Sequence, residues 1–327
     1  MSRSREAATP GPAWLVQAAL IARRFHLEGR SKTQIADETG LSRFKVARIL
    51  DEARELGLVE VTVRLPARID ANLSVQVQER FGLRRAIVVE TSATTRYEDL
   101  GRVCADLLAE VVGPEDVLGL TCSRSVAATT QALDSLAPCE VVQLSGTLAG
   151  PNLEAGSVES VRRAAEVGGG QAYPIYAPMV LPDAATKTSL SGQSAIRQAV
   201  SQVGRVTVAT VAIGAWQSDL STVYSDLDDG ERAAVTAAGV VGEIAARFFD
   251  EHGEPVSTVI DDRVLSVTLE QLRGIPEVIG LAHDVRKATA VRAALRTGLV
   301  DSLVCDEGVG RELLRMGEAE PTEAGTG

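Results

Sequence analysis

The chain has 327 residues, of which 45% are hydrophobic and 24% charged, so it can bury a sizeable core; this excludes a disordered polymer and favours two domains over one. Its formal net charge of −11 excludes a molecule that coats nucleic acid over its whole surface. That figure averages unlike parts, because residues 1–65 carry +3 and the remainder −14, a small basic head on an acidic body.

Residues 1–12 are rich in Ser and Arg, lack the apolar core of a signal peptide, and read as a flexible start. Trp14, Leu15, Ala18, Ala19, Ala22 and Phe25 then recur at helical spacing, predicting a helix over 13–28 ended by Gly29. Ser31 with Gln34 three residues later has the spacing of a capping box, and Gly40 supplies a left-handed stop. Ser42 caps a third helix with Val46, Ile49, Leu50, Ala53 and Leu56 inward, and Leu58–Leu65 alternates like a strand. Thr33, Ala36, Gly40 and Val46 stand at helix-turn-helix spacing, and the following strand predicts a winged variant over residues 13–65. Arg43, Phe44, Lys45 and Arg48 sit on the outward N-terminal end of the third helix, the part of such motifs that enters a major groove. With Lys32, Thr33, Gln34 and Ser42 they form the candidate DNA-binding set. An ordinary three-helix unit with a solvated charged face is the competing reading.

Residues 66–75 read as a linker, with the hinge at Pro66–Asn72. In the body, 76–316, strands are predicted at Ala86–Glu90, Val117–Thr121, Val141–Leu144, Val206–Ile213, Val278–Ala282 and Leu303–Cys305. Helices are predicted at Tyr97–Val112, Ser125–Leu136, Val158–Val167, Ile196–Val203, Val285–Arg296 and Gly308–Met316, with Tyr173–Ala177 extended. Phe248–Phe249 looks like a strand entering a turn, although 241–249 also fits a helix. Continuous apolar strands alternating with helices predict an α/β fold: a doubly wound, mostly parallel sheet covered on both faces. Residues 317–327 read as a flexible tail.

Ligands in such sheets sit outside the carboxyl ends of the strands. Four strand-end segments qualify. Gly119–Ser125 leads into a helix N-terminus, where Thr121, Ser123, Arg124 and Ser125 would make an anion cradle. The others are Leu144–Thr147, with Ser145 and Gly146; Ile213–Ala215, with Gly214; and Asp261–Arg263, joined to the segment carrying Lys287. Each alone also fits plain turn chemistry; together they predict a pocket for a polar small molecule. Glu243, Asp261 and Asp262 are the candidates for proton transfer, but no spacing pairs them, and no nucleophile elbow, P-loop or dinucleotide fingerprint is present. Gly168–Gly170 precedes an extended segment and reads as a loop. The four cysteines are scattered without a C-x-x-C pair and the three histidines are dispersed, so no metal or cofactor is expected. The longest apolar stretch, Val206–Trp216, is too short for a bilayer, and a cytoplasmic protein is the expectation.

From Trp14 to about Met316 the sequence resembles the SorC family of sugar-responsive bacterial transcription regulators. The resemblance is carried by Lys32–Arg48, Val141–Gly146 and Val211–Gly214. Gly239–Gly253, Asp262–Arg263, Ile275–Ala282, Lys287–Val291 and Leu303–Glu307 complete it. It implies a winged head on a domain like the sugar-phosphate isomerases and deaminases, used as a sensor, and assembly as a homodimer or homotetramer on operator DNA. It further implies that Gly119–Ser125 holds a phosphate, that Lys287 assists, and that Glu243 and Asp262 meet sugar hydroxyls. The chain departs from the family at Ser123, Ser125, Ser145–Thr147 and Ala282–Asp284, where the family favours glycine, threonine, Asn-Gly-Gly and Ala-Gly-Gly. The effector class is therefore a sugar, a sugar phosphate or a polyol. A sugar-phosphate isomerase- or deaminase-like enzyme carrying a DNA-binding head and an effector-blind DNA binder are the alternatives.

Overall fold

The structure, a computed structural model, describes residues 10–59, 68–148 and 156–318. The chain divides into two compact units, residues 1–64 and 65–327.

The first unit holds three helices, α1 (Pro12–His26), α2 (Lys32–Thr39) and α3 (Arg43–Glu55). The predicted caps form. Ser31 Oγ accepts from Gln34 N at 3.2 Å while Gln34 Oε1 accepts from Ser31 N at 2.9 Å, and Ser42 Oγ accepts from Lys45 N at 3.2 Å. Caps of this kind are worth about 1 kcal/mol each. Gly40 takes φ +66°, a backbone conformation that side-chain-bearing residues rarely adopt, and so turns the chain between α2 and α3. Ala18, Ile21, Ile35, Ala36, Val46, Ile49 and Ala53 close the core of this unit. Most of the strand expected at Leu58–Leu65, and with it the wing, lies outside the described residues.

The second unit opens with α4 (Ala71–Phe81), β1 (Arg85–Val89), α5 (Arg96–Val111), β2 (Val117–Leu120), α6 (Arg124–Ala132), β3 (Glu140–Gln143), α7 (Ser157–Gly168) and β4 (Ala172–Tyr173). Next come α8 (Ala184–Ser191), α9 (Ser194–Gln202), β5 (Val208–Ala215), α10 (Asp229–Ala237), β6 (Gly242–Ile244), β7 (Arg247–Phe249) and β8 (Pro255–Val256). The unit ends with α11 (Leu269–Arg273), β9 (Glu277–Ala282), α12 (Ala288–Arg296), β10 (Ser302–Asp306) and α13 (Glu307–Glu318). Seven strands pair in parallel in the order β1-β10-β9-β5-β2-β3-β4. Alternate residues feed opposite faces. Ala86, Val88, Val211, Leu303 and Cys305 join one core; Val89, Leu118, Leu120, Ile279 and Val304 join the other beneath α5, α6 and α7. This is the doubly wound arrangement expected from continuous apolar strands. The strand order runs outward in opposite directions from β2 and β5, which places the switch point between them.

Two expectations, the linker and the tail, need correction; the strand reading of Phe248–Phe249 holds over its helical alternative, and one further helix carries no signal in the chain. The segment 66–75 is not a linker throughout: Asp70 Oδ1 caps α4 at Leu73 N (3.0 Å), and Leu73 and Val77 are buried in the sheet's core. Residues 241–249 form the β6–β7 hairpin, because β6 pairs antiparallel with β5 and the extra hydrogen bonds override local helix propensity. The helix α8 buries no residue, so it carries no apolar period by which to recognise it. At the far end α13 runs to Glu318, into the segment read as a tail, while residues 1–9 and 319–327 lie outside the described part.

Candidate functional site

The carboxyl ends of β2, β5 and β9 surround a narrow cleft of about 40 Å³. Its wall holds Thr121, Cys122, Ser123, Arg124 and Ser125 from the β2–α6 turn, Ala212, Ile213 and Gly214 from β5, and Glu243 and Ala245 from the β6–β7 hairpin. Tyr97, Met179, Leu220, Thr222, His283 and Lys287 complete it. Seven predicted effector residues therefore converge: Thr121, Ser123, Arg124, Ser125, Gly214, Glu243 and Lys287.

The other three lie elsewhere. Ser145 is fully buried under the β2–α6 turn, where its Oγ accepts from Cys122 N at 3.0 Å. Gly146 N donates to Leu265 O at 2.8 Å, and Asp262 lies in a 3-10 turn, Asp261–Arg263, away from the cleft wall. Ser145 supports the turn, and none of the three lines the cavity.

The electrostatics favour an anion. Ser123 Oγ caps α6 by accepting from Val126 N at 3.1 Å, and the first turn of that helix, Arg124 and Ser125, lines the cleft. Arg124 stacks over the Tyr97 ring at 5.0 Å and pairs with no carboxylate among the described residues. Lys287 is buried, with Nζ donating to Ile213 O at 3.1 Å. Burial pushes its pKa down to about 8, with the Glu243 charge opposing that fall and Arg124 adding to it. Glu243 accepts from Ala246 N at 3.0 Å and lies 3.4 Å from Ser221 Oγ, yet burial still raises its pKa. Gly214 makes room for this carboxylate, since a Cβ there would collide with it.

Sequence reasoning missed Tyr97, Thr222, Leu220 and Met179, which reach the cleft from distant segments. His283 was visible only as a departure from the family pattern. Its ring meets Tyr97 edge to face at 4.4 Å, and desolvation with the nearby Lys287, Arg96 and Arg124 charges drives its pKa down to about 3. The neighbouring Asp284, at φ +78°, is tied by Arg286 and Arg96 and holds its carboxyl near 2.

In the first unit, Thr33, Gln34, Ser42, Arg43, Phe44, Lys45 and Arg48 are exposed and Lys32 is half-buried, its ammonium over the Phe25 ring at 5.7 Å. Gln34 spends its carbonyl on the capping box. Glu38 is neutralised by Arg24 at 3.0 Å and Arg30 at 3.9 Å, and Arg48 touches Glu52 at 3.4 Å. Among the described residues no helix is long and apolar enough to cross a membrane, and no cluster of His, Cys, Asp and Glu has metal-binding spacing.

Residues 66–315 match the sugar-binding domain family Sugar-bind. The chain is 30% identical over 302 residues to the transcriptional regulator YjhU of Escherichia coli K12, covering 89% of this chain and 92% of that protein. It is 28% identical over 302 residues to the deoxyribonucleoside regulator of Bacillus subtilis 168, covering 90% and 95%. The fold matches the full-length sorbitol operon regulator SorC of Klebsiella pneumoniae with a TM-score of 0.71 at 23% identity, over 92% of this chain and 99% of that one. The chain belongs to the SorC family of transcriptional regulators, with the family's sugar-binding domain spanning residues 66–315.

Proposed function

We propose that the protein is a transcription regulator in which residues 13–65 bind operator DNA and residues 76–316 bind a carbohydrate effector that controls that binding. One observation carries the reading: Arg124, Lys287 and the N-terminus of α6 converge on a single cleft at the switch point of the sheet. Such a site selects a ligand with an anionic group and hydroxyls, and a sugar phosphate fits it best. Thr121, Ser123, Arg124 and Ser125 take the anion with Lys287 opposite, and Glu243 with Thr222 meets hydroxyls. Among the described residues Glu243 is the one carboxylate on the cleft wall, and the Ala246 amide and Ser221 hydroxyl hold it, an arrangement suited to binding rather than to turnover. The head is small, so specificity on a genome requires two of them, on a homodimer or homotetramer.

A thermal-shift screen with sugars, sugar phosphates and polyols tests this. A true effector at 100 times its Kd stabilises the native state by about 2.7 kcal/mol. Ser123→Asp keeps a good helix cap but repels an anion, so the shift disappears for a phosphorylated ligand and persists for a neutral one. Absence of any shift across the three classes, or turnover of a pentose or hexosamine phosphate in a coupled assay, refutes the proposal.

A further inference from the structure

The first turn of α3 carries a feature that charge does not explain. Phe44 is 86% exposed, more than any other large apolar side chain described in the protein. It lies on the helix ridge Phe44–Ala47–Arg48–Asp51, which is opposite the buried ridge Val46–Ile49–Leu50–Ala53. Arg43 and Lys45 flank it, and Arg48 stands one turn further on, so its surroundings are cationic and complement a polyanion. An aromatic ring held in water by a rigid helix, beside Arg43, Lys45 and Arg48 and with Asp51 and Glu52 two turns further along, has its apolar face matched by one element of the major groove. That element is the 5-methyl group of thymine, the only apolar group that base edges display there.

We propose that Phe44 reads thymine through its methyl group and that Arg48 reads a guanine beside it, so that the half-site of this protein contains the two together. The proposal rests on the head binding DNA. Four residues of helix separate the two side chains by about 6 Å, close to the rise of about two base pairs. The thymine and the guanine therefore fall within one or two base pairs of each other. Ala47, on the same ridge, is small enough to let the ring approach the groove floor.

Selection of the full-length protein from a random duplex pool, followed by binding to the enriched sequence with each thymidine replaced in turn by deoxyuridine, decides the matter. Deoxyuridine differs from thymidine only by the missing methyl. Wild-type protein is expected to lose about four-fold in affinity at one thymidine per half-site, the equivalent of one buried methyl group. Phe44→Ala is expected to bind thymidine and deoxyuridine sites equally while keeping the wild-type melting temperature, because the ring contributes nothing to the core. Arg48→Ala is expected to relax selection at a guanine one or two positions away. If the wild type enriches a sequence but is indifferent to every deoxyuridine, or if Phe44→Ala keeps the same penalty, the assignment is overturned while DNA binding stands. If nothing is enriched, DNA binding and this inference fall together. A lower oligomeric state of Phe44→Ala in sedimentation assigns the ring to a protein contact and likewise overturns it.

Discussion

Lys287 is the residue whose perturbation says most about the cleft. Its ammonium is buried near Ile213, Glu243 and His283 and donates a hydrogen bond to Ile213 O at 3.1 Å. The pKa falls from the ordinary 10.5 to about 8, mainly through desolvation. At about 1.4 kcal/mol for each tenfold loss of proton affinity, the folded protein carries about 3 kcal/mol of unfavourable free energy to keep this charge in place at neutral pH. Because the folded pKa is the lower one, the unfolded chain binds the extra proton between pH 8 and 10.5, and the penalty is relieved as pH rises through that window. Lys287→Met keeps the length of the side chain and removes the charge. This removes the desolvation penalty but leaves Ile213 O without its donor and Glu243 without the nearby positive charge, so the ligand-free variant is expected to stay within about 3 kcal/mol of the wild type at pH 7. The same variant should bind an anionic effector far more weakly. In the wild type, calorimetric affinity for a sugar phosphate should stay flat to about pH 7.5. Above pH 8 it should then fall by up to about tenfold per pH unit as the lysine loses its proton. A strongly destabilised Lys287→Met, or wild-type effector affinity in it, would show that the lysine is a packing element and that the cleft does not work as derived.

Arg43→Ala and Arg48→Ala should each weaken operator binding by about 1–3 kcal/mol where the guanidinium contacts a base, with the melting temperature unchanged; mobility-shift titration checks both. The protein should sediment as a dimer or tetramer at micromolar concentration, and a monomer with and without DNA would remove the basis for paired half-sites. His283, held neutral by burial and its cationic neighbours, should make the protein acid-sensitive. Its folded pKa lies below the unfolded value, so stability falls as pH drops from about 6.5, and His283→Gln should flatten that part of the melting-temperature profile.

Whatever is local could be read directly from the chain. Ser31, Gln34, Gly40 and Ser42 act within four residues of themselves, and the inward stripe of α3 repeats with the helix, so the three helices of the head could be written down from spacing alone. The β2–α6 turn was legible for the same reason: a continuous apolar strand followed by Thr, Ser, Arg and Ser announces a helix N-terminus. Tertiary structure decided which strand ends meet. Lys287 and Ile213 are 74 residues apart, yet they are joined by a hydrogen bond because β5 and β9 are sheet neighbours. Ser145 looks like a ligand contact in the chain, but the neighbouring β2–α6 turn takes its hydroxyl for its own amide. The hairpin that delivers Glu243 has helix-forming residues in it, and only pairing with β5 makes it extended. The perturbed pKa values of Lys287, Glu243 and His283 belong to the same class, since desolvation is a property of everything packed around a group and cannot be read from its neighbours in sequence.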